Sequence, residues 1–427
     1  SHTAILNIVR DEAKKAGRHV AILQDLCGPK VRIGEVVEGV VLKDNDLVTL
    51  RHSKTEISTS SVLYVQAFDP AEVMKPGETA YLADGRIKLV AQEVKNGEVI
   101  CQIAAGGPLR SRSGIAVPDS VLNLPCITEK DKADLVWGVT NKVEYIALSF
   151  VMAPSDVREL KTLISEQGGD SAVVAKIERA SELNLLEGIV QEADAVMVAR
   201  GDLGLELPLE KVPSAQRKII DCANKYGKPV ITATQMLMSM VEEVRPTRAE
   251  VSDVCTAVRD GTDAVMLSEE TAMGKHPIEV IKVLTQILVE ADREKISKGG
   301  PIPAKGNLWC SVADAVSFAA TSAAQSLEAK VLMALTERGS TALLLSKYRP
   351  SQLIYGATTR PSSLARMALF WGVLPILIAD ESDEITAGLV ALRDQYGVPS
   401  GEKVVVTAGL KAHQSGTTSK MEVRDIP

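Results

Sequence analysis

Residues 173–180 read VVAKIERA, residues 193–204 read ADAVMVARGDLG, and residues 229–236 read PVITATQM. Each is a short apolar run that breaks into polar residues at its C-terminal end. Lys176 and Glu178 close the first, Arg200, Gly201 and Asp202 follow the second, and Thr232 and Thr234 follow the third. Each gap between runs is long enough for one helix and its loops, which predicts a βαβαβ series of neighbouring parallel strands. In such sheets and barrels the chemistry sits at the carboxyl ends of the strands. Two carboxylates, a lysine and a hydroxyl are therefore expected on one rim. Glu178 and Asp202 are a donor pair for one hard cation, which takes oxygen ligands. Gly201 lets backbone N–H groups approach an anion at the start of the next helix, and Lys176 supplies a fixed positive charge. The set suits a small phosphorylated or carboxylated substrate. The competing reading is a row of buried ion pairs. It accounts for any one of these residues more easily than for all of them on consecutive strand ends.

The rest of the chain narrows the class. Its 427 residues are too many for one core, so two or three domains are expected. They are 45% hydrophobic but only 3% aromatic, which suits buried parallel strands and packed helices better than a sandwich. The net charge of −7, with no long basic run, argues against a nucleic-acid partner. No apolar run approaches a membrane span and no signal peptide opens the chain, so no membrane association is expected. Cys27, Cys101, Cys126, Cys222, Cys255 and Cys310 are scattered without CxxC spacing. That fits a reduced, cytoplasmic compartment, with the cysteines as core fillers.

In chain order, residues 3–16 form an amphipathic helix with Ile5, Leu6, Ile8 and Val9 as its apolar positions. Residues 19–26 are a strand. From about Gly34 to Ala116 the texture changes to short alternating strands. Asp84-Gly85 and Asn96-Gly97 read there as two-residue hairpin turns. The α/β rhythm resumes at Thr128, whose hydroxyl and Asp131 suggest a helix start. Six runs read as barrel strands: 20–26, 145–151, 172–178, 195–201, 229–235 and 264–270. Residues 294–307, rich in Gly, Pro and Lys, read as a linker. Four further helix–strand units follow, ending with strands at 331–336, 353–358, 375–379 and 403–409. The fold class is therefore α/β: a (β/α)₈-type barrel with six strands evident, an inserted small β domain and a C-terminal α/β domain. The boundaries are 1–33 with 117–300 for the barrel, 34–116 for the insertion and 308–427 for the last domain.

The KIE of residues 176–178 and ARGDLG of 199–204, with ITATQMLMSM at 231–240, fall in one order with RPTRAEVSDV at 245–254, DGTDAVMLSEETAMGKHP at 260–277 and DLCGPKVR at 25–32. In that combination the chain resembles pyruvate kinase over nearly its whole length. The resemblance implies that the inserted β domain is a mobile lid and that the last domain is regulatory. It implies two further barrel strands ahead of residue 1, the second ending in an Arg-x-Asn-Phe-Ser-His motif that helps bind phosphate and a monovalent cation. Those strands are expected in a segment outside these 427 residues; without them the barrel is open on one side, with exposed strand edges.

The implied reaction moves the phosphoryl group of phosphoenolpyruvate to ADP, giving ATP, and protonates the enolate to pyruvate. By resemblance Glu178 and Asp202 are ligands of Mg²⁺ or Mn²⁺, and Lys176 faces the transferring phosphoryl group. Gly201, Asp202 and Ser149 border the substrate, and Thr234 assists enolate protonation. An unperturbed threonine is too weak an acid to act alone, so it is expected to position water or relay a proton. Arg32 matches a nucleotide-phosphate contact, its alternative being a surface arginine at the lid hinge. Asp25 matches a monovalent-cation ligand. Lys30 stands where potassium-dependent members have Glu, so K⁺ is expected to be dispensable. Asp84 reads as a turn residue before it reads as a visitor to the metal site.

Two departures bear on nucleotide affinity. Ser113-Gly114-Ile115-Ala116 replaces the family's Lys-Gly-Val-Asn, leaving Arg110 or Arg112 as substitutes for the lid lysine, and Met238 replaces a common Glu. In the last domain Thr336, Arg338, Gly339, Ser340 and Thr341 lie between a strand and a helix. They are expected to bind a phosphorylated small-molecule effector, with residues 415–418 as a second wall, or else simply to cap the helix. A homotetramer is expected. The alternatives are a catalytically impaired or truncated relative, or a metal-dependent pyruvate-enolate lyase or aldolase; the latter needs neither the inserted domain nor the C-terminal one.

Overall fold

Strands covered on both faces need nearly continuous apolar runs, and the residues flanking Lys176 supply them. The computed structural model describes residues 2–29, 31–120, 122, 124–179, 181–297, 311–379, 383–409 and 418–427. Six parallel strands, Leu23–Asp25, Tyr145–Leu148, Ala172–Ile177, Ala195–Ala199, Val230–Ala233 and Ala264–Met266, lie side by side in chain order. They curl into a half-barrel whose edges, among the described residues, are the first and last of these strands. The first strand is shorter than the 19–26 run suggested.

Alternation along the strands sorts side chains onto two faces. Ile146, Leu148, Val173, Ala175 and Ile177 pack with the surrounding helices. Tyr145, Ala147, Ala172, Val174 and Ala233 line the opposite, inner face. Asp25, Ser149, Lys176 and Glu178 share that inner parity, so the period of two carries all four to the inside of the rim. Thr232 has the other parity. It is buried and its hydroxyl donates to Thr262 Oγ1 at 3.0 Å, so of the two threonines only Thr234 reaches the rim.

The inserted unit holds a six-stranded sheet in the order Val62–Val65, Leu47–His52, Glu98–Ala105, Ile87–Lys95, Thr79–Leu82, Ile115–Ala116, and a short helix, Pro70–Val73, that the strand texture did not announce. Asn96-Gly97 is a two-residue turn, with φ of 53° and 76° between the paired Lys95 and Glu98. Asp84-Gly85 is not. Leu82 pairs with Ile87, leaving a four-residue loop in which Ala83, Asp84 and Gly85 are all left-handed. The tip of this loop reaches the barrel: a Cβ added to Gly85 would stand 2.8 Å from Leu205 Cδ2.

Two other expectations change. The helix Pro277–Ser297 runs through residues 294–297, and residues 298–307 of the expected linker lie outside the described residues. The first helix, His2–Lys15, buries Leu6 but leaves Ile5 and Ile8 each 61% exposed. Thr128 behaves as read: it accepts from the Asp131 backbone while the Asp131 carboxylate accepts from the Thr128 backbone, a reciprocal cap.

In the last unit Val373–Leu377, Leu353–Thr358, Val331–Leu335 and Lys403–Gly409 are parallel neighbours. A fifth strand, Thr418–Asp425, pairs antiparallel with Lys403–Gly409 and was not read from the sequence. This unit is fastened to the underside of the half-barrel. Arg349 Nη1 meets the buried Asp263 carboxylate at 2.8 Å, Trp371 Nε1 donates to Asp292 at 3.1 Å, and Tyr145 donates to the Arg366 carbonyl at 2.8 Å.

Candidate active site

Lys176 is the hub. Its ammonium donates to Ser149 Oγ at 2.7 Å and lies 2.9 Å from Glu178 Oε1 and 3.1 Å from Asp25 Oδ1. The side chain is 12% exposed. Burial works against its charge, but Glu178 and Asp25 outweigh burial and push its pKa up to about 12. It is therefore a permanent cation, not a base. Glu178 is 1% exposed, and its Oε2 accepts the Phe150 N–H at 2.7 Å. Burial, reinforced by the nearby Asp202 carboxylate and opposed by Lys176, pushes Glu178 up to about 7.

Asp202 belongs to the short helix Arg200–Glu206, which begins where the Ala195–Ala199 strand ends. Gly201 N–H donates to Thr234 Oγ1 at 2.8 Å, and the Thr234 hydroxyl donates to the Ala233 carbonyl at 2.6 Å. An added Cβ at Gly201 would meet Thr234 Oγ1 at 3.5 Å, an ordinary contact, so the glycine is not there for want of room in this arrangement. Asp25, at the end of the first strand, is half exposed and is held by Lys176 through both oxygens. Ser149 is buried and donates to the Leu26 carbonyl at 2.8 Å.

The inserted unit covers one side of this cluster. A cavity of about 70 Å³ is lined by Asp84, Gly114 to Val117, Glu178, Arg179, Asp202 and Glu206. Asp84 is thus both a left-handed turn residue and a wall of the carboxylate cavity. Arg32 donates to the Arg112 carbonyl at 2.6 Å and borders a second cavity of about 480 Å³ with Cys27, Pro29 and Lys130. Lys30 lies outside the described residues. The sequence reading gave no role to Arg179 or to Arg200, although it placed Arg200 at a strand end. Arg179 stacks on Phe150 with its guanidinium 5.5 Å from the ring centre. Arg200 is joined to Asp253 and to the backbone at Thr234. Arg200 sits in the quoted motif, but nothing in the motif shows where its side chain goes.

In the last unit the Thr336 hydroxyl accepts from Gly339 N–H at 3.0 Å and Thr341 N–H at 3.4 Å, starting the helix Ser340–Lys347. Thr341 Oγ1 lies 2.7 Å from Thr418 Oγ1. Ser340 makes no side-chain cap, Arg338 is exposed, and residues 415–417 lie outside the described residues. Burial pushes the Cys101 thiol up to about 12 and Cys222 up to about 11, which fits packing and not nucleophilic chemistry. Among the described residues no helix is long and apolar enough to cross a membrane.

Carboxylates, a permanent cation and a hydroxyl at the carboxyl ends of curled parallel strands define a barrel enzyme for a small anionic substrate. Residues 1–281 match the barrel domain of pyruvate kinase, and residues 314–424 match its alpha/beta domain. The chain is 39% identical to pyruvate kinase 2 of Synechocystis sp., covering all of this chain and 72% of that one. It is 36% identical to the pyruvate kinase of Clostridium acetobutylicum, over all of this chain and 91% of that one. It is 36% identical to the Staphylococcus aureus pyruvate kinase, over 99% and 73%. The chain belongs to the pyruvate kinase family, and its function is that of a pyruvate kinase, a phosphotransferase. Nothing in these likenesses favours a lyase, an aldolase or an impaired relative.

Proposed function

We propose that the cluster around Lys176 moves the phosphoryl group of phosphoenolpyruvate to ADP and lets the resulting enolate become pyruvate. The observation that carries the reading is the convergence of Asp25, Ser149, Lys176 and Glu178 on the inner rim, with Asp202 and Thr234 on the next two strand ends. Phosphoryl transfer needs positioning and charge neutralisation more than covalent help. Lys176, charged throughout the neutral range, balances the phosphoryl oxygens.

The donor chemistry of Glu178 and Asp202 fits Mg²⁺ or Mn²⁺. Both are oxygen donors, and Asp202 opposes ionisation of Glu178, a repulsion that a cation between them would reverse. Among the described residues no group of three or more His, Cys, Asp and Glu side chains is placed to hold a metal ion. That fits a cation which takes one or two protein carboxylates and completes its shell with substrate and water. When bound, such an ion stabilises negative charge on the enolate oxygen.

The backbone N–H groups of Gly201 and Asp202 would receive the substrate carboxylate once Gly201 N–H leaves Thr234, and the freed Thr234 hydroxyl would relay a proton. Arg32 would meet nucleotide phosphate at its cavity. The Lys176 ammonium already neutralises Asp25, which supports catalysis without added K⁺. We place the enzyme in the cytoplasm as a homotetramer, with the inserted unit as a mobile lid. A phosphorylated effector would bind at Thr336, Arg338, Gly339, Ser340 and Thr341 of the C-terminal unit. Asp202→Asn tests the core of the reading. It should cut pyruvate formation from phosphoenolpyruvate and ADP on the order of 10²-fold or more and weaken Mn²⁺ binding in a titration without substrate. Unchanged Mn²⁺ affinity would remove Asp202 from the metal site.

A further inference from the structure

The turn after the Val230–Ala233 strand is made of residues that avoid it. Thr234 and Gln235 have φ of 70° and 54°, consecutive left-handed positions without a glycine, the first of them β-branched. Such a pair persists only where its surroundings hold it. Arg200 provides the hold. Its side chain is 9% exposed. Nη2 donates to the Thr234 carbonyl at 2.7 Å and the Gln235 carbonyl at 3.2 Å, and lies 2.9 Å from Met236 Sδ. Nη1 meets Asp253 Oδ2 at 2.5 Å, on the helix Arg248–Asp260. The adjacent Gly201 holds the same threonine by its hydroxyl.

We propose that Arg200 is a positioning residue for enolate protonation: it fixes the left-handed turn that aims the Thr234 hydroxyl at the substrate. The inference rests on the reading of Thr234 as the proton relay. In that step the enolate electron pair forms a C–H bond to the hydroxyl proton, and a solvent proton replaces it, leaving the threonine unchanged. A planar guanidinium suits the task. It stays charged, and its fixed fork reaches two carbonyls from one nitrogen while the other nitrogen is anchored to Asp253. Arg-Gly-Asp at 200–202 thus divides three duties among neighbours: the turn, the substrate carboxylate and the metal.

The test uses the full chain with Mg²⁺ and two readouts. One is solvent hydrogen exchange into the methyl group of pyruvate, which reverses protonation without phosphoryl transfer; the other is the split between kcat and KM for phosphoenolpyruvate. Arg200→Met should slow exchange about tenfold or more, since a small misplacement of a reacting group is costly, with KM little changed. Thr234→Ala should slow exchange as well, and the double variant should be no slower than Thr234→Ala alone, because the two act through one hydroxyl. Asp253→Asn loosens the far anchor and should give a smaller loss in protein of normal thermal stability, which keeps the test alive if Arg200→Met does not fold. Wild-type exchange in folded Arg200→Met or in Asp253→Asn, or losses that multiply in the double variant, would overturn the role of Arg200. Full exchange in Thr234→Ala would overturn the relay reading beneath it.

Discussion

The half-barrel and the C-terminal unit are both parallel sheets covered by helices, yet they treat polar groups at their strand ends in opposite ways. On the rim of the half-barrel the buried groups include an ion pair: Lys176 lies at the end of a strand of Ala, Val and Ile, Glu178 follows it beside the Ser149 hydroxyl, and Glu178 is pushed up to about 7. At the corresponding ends of the C-terminal sheet the most buried groups are neutral hydroxyls: Thr336, Thr358 and Ser363, bonded to backbone, and Thr341, bonded to Thr418. A buried ion pair of that unit lies elsewhere. Lys347 meets Asp314 through both oxygens, with Tyr348 donating to the same carboxylate at 2.6 Å, so each charge there is answered by geometry alone. Ionic groups left in mutual tension at a rim invite a charged ligand, whereas a satisfied pair only fastens two helices.

That contrast can be broken by three measurements. The largest effect is expected at Lys176. Lys176→Met keeps the aliphatic packing and removes the charge, and should lower kcat on the order of 10³-fold while the fold survives. A variant within tenfold of wild type would make Lys176 a structural cation like Lys347. Asp314→Asn is the counterpart. It strands the Lys347 ammonium and should cost about 3 kcal/mol in chemical denaturation, with turnover in the surviving folded protein close to wild type. A specific loss of turnover would blur the distinction.

The smallest effect concerns pH. Because the folded pKa of Glu178 stands above its ordinary 4.5, at about 7, the folded state holds a proton that the unfolded chain releases first. Stability from this group is complete below pH 4.5 and is lost as pH rises through 7. In chelator, Glu178→Gln should therefore gain in melting temperature relative to wild type between pH 5 and pH 8, and Mg²⁺ should stabilise only the wild type at pH 8. A difference that stays constant with pH would mean that the carboxylate is already ionised at pH 5.

Much of this was legible because strands have a period of two. Once the run ending at Lys176 is placed in a buried parallel strand, Lys176 and Glu178 must face the same side, as must Ser149 relative to Ala147. The same period sends Thr232 to the helix-covered face, opposite Ile231 and Ala233, and would send Thr234 there too; Thr234 reaches the rim because the chain turns left-handed at that residue, which no period shows. The Asp84 loop was misread because the dipeptide Asp-Gly carries a turn preference but not the paired residues that set loop length. Thr418–Asp425 was missed because an edge strand with few buried positions has a weak apolar signal.

The sequence by itself determined the six-strand order, the inserted β unit, the second α/β unit and the rim residues, because local periodicity and short motifs encode them. Only the tertiary structure decided that Arg200 joins Thr234 to Asp253, that the Asp84 loop walls the carboxylate cavity, and that Lys176 is shared by Asp25, Ser149 and Glu178. Those relations join residues far apart in the chain. Their strength depends on burial and on distances of about 3 Å, which no spacing along the chain can encode.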